Sequence, residues 1–218
     1  MSSVGRRGRP ETTPLAVGVA LDFVQTAVHC MLRQRGVYPP ELFQRAAKLG
    51  VPVWASRHPD LTAYIASVLD AARVDVLSGR VSQILVSIQD ASGVVVELVR
   101  FEMAVFDDAE SDVDAGELEA HLRACLIKLD AAESSLAPLP PGCTFQMLIE
   151  MHEGDDAGPT AGGGALAAQW VPGEAHEGNM SGAGVCQLPL KTIDAGPLWI
   201  RVSVLEHRAR KADAALTQ

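Results

Sequence analysis

QILVSIQDASGVVVELVRFEM, residues 83–103, is the stretch that decides the fold class. Gln83–Ile88 and Val94–Met103 are dense in β-branched residues, and Asp90-Ala91-Ser92-Gly93 between them is turn chemistry. The pair predicts an antiparallel hairpin. Its second half is apolar at nearly every position as far as Arg100, which predicts a central strand covered on both faces.

Helical spacing lies on either side. Leu15 to about Arg35 carries Val17, Ala20, Leu21, Val24, Ala27, Val28, Met31 and Leu32 at a 3.6-residue period, and Gly36 ends it. Val37–Phe43 reads as a turn leading into a short helical piece. Val51-Pro52-Val53-Trp54 reads as a short edge strand, because proline is tolerated only at edges. Residues 59–77 form a second helix with Leu61, Ile65, Val68, Leu69, Ala72 and Val76 on one face, closed by Gly79. Asp114-Ala115-Gly116-Glu117 has the spacing of a capped helix start, and Leu118, Leu122, Cys125, Leu126 and Leu129 follow it. Thr144–His152 then alternates, with Phe145, Met147, Ile149 and Met151 inward. Val185–Leu190 and Pro197–Leu205 are further strands, the latter placing Leu198, Ile200, Val202 and Val204 on one face and Trp199, Arg201 and Ser203 on the other. Two helices, a hairpin, a helix and then strands give an α+β fold, an antiparallel sheet with helices on one face.

Between two of those strands runs an anomaly. Gly154–Gly184 is 31 residues long, nine of them Gly, and its only large apolar side chains are Leu166, Trp170, Val171 and Met180. Long loops inside a compact domain are usually lids, binding loops or disorder, and a lone Trp argues against disorder alone. The segment reads as a mobile element that becomes ordered on something.

Composition excludes several classes. The formal charge of −9 repels phosphate, so duplex binding by the folded part is disfavoured. Cys30, Cys125, Cys143 and Cys186 form no C-x-x-C pair, and their scatter suits a reducing compartment. No secretory core and no apolar run of about 18 residues is read. Residues 1–13 and 208–218 read as polar, disordered tails.

The catalytic arrangements are weak. Gly162-Gly163-Gly164 lacks a following Gly-Lys-Ser/Thr, and Lys191-Thr192 lacks a preceding glycine loop. Asp108, Glu110, Asp112 and Asp114 alternate like calcium ligands, but Val113 stands where the loop glycine belongs. His58 before Pro59 reads as a helix entry, and His152 has no second His at metal spacing. These residues do not describe an enzyme, and no metal or cofactor is expected. What remains is surface, above all Trp199 beside Arg201, the residue types enriched at interface hot spots.

Six motifs then fall in order: Val37–Gln44, Val51-Pro52-Val53, His58-Pro59-Asp60-Leu61 with Tyr64-Ile65, Leu122-Arg123-Ala124 with Ile127-Lys128, Pro140–Phe145, and Leu188-Pro189-Leu190-Lys191-Thr192. Together, over about residues 15–207, they resemble the HORMA-domain family, and within it the accessory subunits of translesion DNA polymerase zeta. The resemblance implies three helices on an antiparallel sheet over 14–207, with a "safety belt" at about 154–206 that wraps a partner peptide and re-pairs with the sheet. It implies a proline-containing peptide of the polymerase zeta catalytic subunit, gripped by Tyr64 and Trp170 with Tyr38 and Leu166. It implies a second surface at Gln187, Trp199, Arg201 and Ser203 for a Y-family translesion scaffold polymerase. Homotypic or heterotypic HORMA pairing would use Arg123, Lys128 and Arg45, and a remodelling AAA+ ATPase is a further implied partner. The implied setting is the nucleus, also the cytoplasm, with no direct nucleic-acid or membrane contact. A checkpoint or meiotic-type HORMA regulator capturing a cell-cycle partner is the alternative.

Overall fold

The computed structural model describes residues 12–106, 114–152, 180 and 184–207. Helix α1 (Thr12–Gln34) starts two residues inside the stretch read as a tail. It ends at Gly36, whose φ of 65° suits glycine, with Gly36 and Val37 N–H donating back to Arg33 and Leu32 carbonyls. Val17, Val24, Val28 and Leu32 are fully buried, and Phe23 and Ala27 nearly so. The helix packs against α2, α3 and β2, which explains burial around most of its circumference. Pro14–Gln34 is in fact long and apolar enough to cross a membrane, contrary to the sequence reading. Its burial makes it a core helix here.

A short 3-10 turn at Pro40–Leu42 follows, then β1 (Phe43–Lys48) and β2 (Val51–Ser56), paired as a two-stranded sheet. The expected helical piece amounts to that single turn, and β1 was not anticipated. Only Phe43 of β1 is buried, so its sequence carries no alternation to read. The turn between the strands places Leu49 (φ 51°) and Gly50 (φ 73°) in the left-handed region.

Helix α2 (Pro59–Leu77) matches its predicted bounds. Then come β3 (Val81–Gln89), β4 (Val95–Val105), α3 (Ala115–Ala132) and β5 (Thr144–Met151). Asp114 caps α3 by accepting the Gly116 and Glu117 N–H groups at 2.8 and 3.1 Å. A hairpin of β6 (Val185–Ala195) and β7 (Leu198–His207) completes the chain. The main sheet runs β5-β3-β4-β7-β6, all antiparallel, with β4 at its centre as its apolar run predicts. Strand β6 is five residues longer than read. Pro189 sits on this outer strand beside a bulge, so pairing continues past it.

The core lies between the helices and one face of the sheet, where Phe23 meets Phe101 edge to face at 6.2 Å. A second, smaller apolar cluster of Leu85, Val95, Leu98, Met180 and Leu205 lies apart from it. Leu85, Leu98 and Leu205 alternate with residues of the main core, so this cluster sits on the sheet face turned away from the helices.

His29, on α1, is buried, and its Nε2 has no hydrogen-bond partner among the described residues. Burial lowers its pKa below the usual 6.5. The unfolded chain therefore takes up this proton first as pH falls, so stability present above pH 6.5 is lost on the way down to the lowered value. His29→Leu is expected to flatten the urea midpoint between pH 6.5 and 5. A variant with an unchanged pH slope would contradict this.

Candidate functional site

The outer edge of β5 is the starting point, because among the described residues only β3 pairs with this strand. An unpaired edge offers a row of N–H and C=O groups to another strand. One of these is already engaged: the Met147 N–H donates to the Tyr64 hydroxyl at 3.1 Å. Tyr64 reaches this edge from α2 and remains 40% exposed. Its ring meets Phe145 of β5 in an edge arrangement at 5.7 Å, and Tyr38 meets the same ring at 6.0 Å. Both tyrosine rings stand nearly perpendicular to Phe145, at interplanar angles of 78° and 77°.

These residues line a groove of about 260 Å³ with His58, Asp60 and Leu61. The start of α2 builds its rim. His58 Nδ1 accepts the Leu61 N–H at 3.4 Å, confirming the helix-entry reading of this histidine, and Pro59 occupies the first turn. Burial, then the neighbouring Tyr64, pushes the Tyr38 hydroxyl above its usual pKa.

The structure thus brings Tyr38 and Tyr64 together through Phe145, which sequence reasoning assigned only to the core. Phe145 alternates inward as expected, but β5 is an edge strand and Met147 alone is buried on it. Leu166 and Trp170 lie outside the described residues.

The opposite edge of the sheet carries the proposed second surface. Trp199 is half-buried and the Arg201 guanidinium lies 4.9 Å from its ring centroid. Arg201 also pairs with Glu102 of β4 at 3.2 Å, and Arg100 approaches the same carboxylate at 3.7 Å. Gln187 is exposed on β6 and donates to Ser203 Oγ at 3.2 Å. Ser203 itself is fully buried, which corrects its reading as an outward surface residue. It lies on β7 between β4 and β6, beneath Gln187, so a partner on this face meets Gln187 first.

Arg123, Lys128 and Arg45 are all exposed. Arg123 Nε donates to the Leu49 carbonyl at 2.6 Å, bracing the β1–β2 turn. Arg45 stacks on Trp54 at 4.1 Å, with Arg33 at 3.9 Å from the same ring. Arg123 and Arg45 therefore both border the small sheet, while Lys128 lies about 140° round α3 from Arg123.

The two buried thiols are not poised as nucleophiles. Burial pushes the Cys125 thiol up to about 12 and raises Cys30 as well. Among the described residues no group of three His, Cys, Asp or Glu could hold a metal.

Connectivity gives this edge its context. The chain leaves β5 at one edge of the sheet and returns on β6 at the other, four strand spacings or roughly 19 Å away. Residues 153–183 make the connection, and about 30 residues can extend roughly 100 Å. Of these only Met180 is described, buried against Leu85, Leu98 and Leu205.

No protein-family model matches the chain. Curated proteins do. The "Mitotic spindle assembly checkpoint protein MAD2B" of Homo sapiens is 30% identical over 195 residues, covering 88% of this chain and 91% of the relative. The "DNA polymerase zeta processivity subunit" of Arabidopsis thaliana is 27% identical over 187 residues, covering 86% and 83%. That of Schizosaccharomyces pombe is 26% identical over 199 residues, covering 84% and 89%. Among solved structures, a chain of the mitotic checkpoint complex superposes with a TM-score of 0.74 at 20% identity, over 88% of this chain and 98% of that one. HTP-2 of C. elegans bound to the HIM-3 closure motif gives 0.70 at 13%, over 89% and 92%. The likeness of fold and the 30% identity over nearly the whole chain agree: this chain belongs to the non-catalytic HORMA-domain family, among the relatives of MAD2B and the polymerase zeta processivity subunits.

Proposed function

We propose that this chain is a non-enzymatic adaptor of translesion synthesis and DNA damage repair. It pairs a proline-containing peptide of the polymerase zeta catalytic subunit with the β5 edge and closes residues 154–206 over it. The observation that supports this reading is the β5 edge, unpaired among the described residues, beside the Tyr38–Phe145–Tyr64 groove. An added strand draws sequence-tolerant affinity from main-chain hydrogen bonds, and an aromatic groove selects proline. Lengthening the enclosing segment adds closure cost slowly, about 0.6 kcal/mol per doubling.

Gln187, Trp199 and Arg201 form the surface for the Y-family scaffold polymerase. Arg123, Lys128 and Arg45 serve pairing with a second HORMA domain, and a remodelling AAA+ ATPase resets the closed state. The protein acts in the nucleus and makes no direct nucleic-acid contact, in keeping with its charge of −9.

The test is calorimetry with a proline-containing peptide from the catalytic subunit. Tyr64→Ala and Trp170→Ala are each expected to cost about 2 kcal/mol or more, the level of a hot spot. Unchanged affinity in both variants would remove them from the peptide site. A second reading, a regulator that captures a checkpoint or meiotic partner, draws on the fold shared with HTP-2 in its closure-motif complexes. A peptide-array pull-down separates the two.

A further inference from the structure

The rim of the β5 groove carries a feature that proline recognition does not use. Asp60 lines the groove and is exposed, and it makes no hydrogen bond or ion pair among the described residues. The capping of α2 is done by His58, so the Asp60 carboxylate is not spent on the main-chain N–H groups of the turn. Among the described residues no Lys or Arg lines the groove. Arg57, two residues before Pro59, is exposed but does not reach the lining.

Three aromatic rings line the same groove as this carboxylate. Ring faces carry negative partial charge and attract cations, and rings combined with a carboxylate are the usual receptor for an ammonium or guanidinium group. Leu61 supplies the apolar wall along which the methylene stem of such a side chain lies. One effect opposes this. The start of α2 bears a partial charge of about +0.5, which disfavours a cation, but the full negative charge of Asp60 outweighs it. The chain's net charge of −9 adds a long-range attraction for a basic peptide.

We propose that Asp60, with the Tyr38–Phe145–Tyr64 wall, reads a lysine or arginine side chain in the partner peptide, so that the groove selects a basic residue together with proline. The inference rests on the peptide-binding reading above and names a further determinant of specificity within it.

A random 12-residue peptide library with a fixed central proline, selected against the full chain, tests it. Wild-type protein is expected to enrich Lys or Arg at one position. In the best clone, changing that residue to Gln should weaken binding about tenfold. Against Asp60→Asn the same change should weaken it less than about threefold, the signature of a coupled pair. Asp60→Lys should enrich Glu or Asp at that position instead. Thermal unfolding of both variants confirms that they fold. Selection of proline peptides without any charge preference, or a preference that survives Asp60→Asn, overturns the inference and leaves the peptide reading standing. Failure of wild-type protein to select any peptide overturns the peptide reading, and this inference with it.

Discussion

Arg35→Met is expected to destabilise the protein by about 3–5 kcal/mol, the cost of leaving a buried charge without its partner. Arg35 Nε donates to both Glu97 oxygens, at 2.9 and 3.2 Å, and Nη2 lies 2.8 Å from Oε2. The two side chains are only 7% and 1% exposed. Arg35 also donates to the Ala137 carbonyl, and Glu206 accepts the Ala137 N–H at 2.8 Å. Glu206 lies opposite Glu97 in the β4–β7 register, so removing the cation leaves two buried carboxylates side by side.

The loss should depend on pH. Burial holds Glu97 above the usual carboxylate value, Arg35 pulls it back down, and Glu206 adds to the rise. A carboxyl raised in the native state binds its proton there first, so this site gains stability as pH falls through the raised value toward 4.5. Without Arg35 that window extends further upward. The deficit of the variant should therefore be largest near pH 8 and narrow toward pH 5. Urea denaturation at both pH values measures it, and Arg35→Met with Glu97→Leu should recover most of the loss. A deficit below about 1 kcal/mol, or one indifferent to pH, would show that the pair is solvated and contributes little.

Phe101→Ala should cost a similar 3–5 kcal/mol. Phe101 sits on the central strand and is 1% exposed, with its ring at 81° to Phe23 of α1. Truncation removes the transfer free energy, the edge contact of about 0.5–1.5 kcal/mol and the packing around a cavity that helix and sheet cannot both close. For a chain of this size the melting temperature should fall by roughly 6–20 °C. Phe101→Leu, which keeps most of the volume, should lose much less. Equal melting temperatures for Phe101→Ala and wild type would mean that α1 and the sheet collapse onto the gap.

What was legible in the chain follows from local physics. Pro59 and Gly79 bracket α2 because each imposes a backbone condition that neighbours do not set. The run Val94–Val99 marks β4 as central because only a strand covered on both faces tolerates it. Phe43–Lys48 was not legible as a strand, since one buried residue in six makes no period. The groove was half legible: Tyr38 and Tyr64 came from motifs, but Phe145 unites them only because β5 lies at an edge. Ser203 was misplaced for the complementary reason. Alternation assigns a face, but whether that face is open depends on which strands lie alongside.

The sequence by itself determined the three helices, most of the strands, their α+β class and the family they belong to, because propensity, capping and period act within a few residues. Tertiary structure alone decided how the other strands are ordered around the β3–β4 hairpin. It set β5 and β6 at opposite edges, left the β5 edge without a second partner among the described residues beside three aromatic rings, and buried Met180 on the far face of the sheet. Those outcomes depend on contacts between residues tens of positions apart, whose pairing no local pattern encodes.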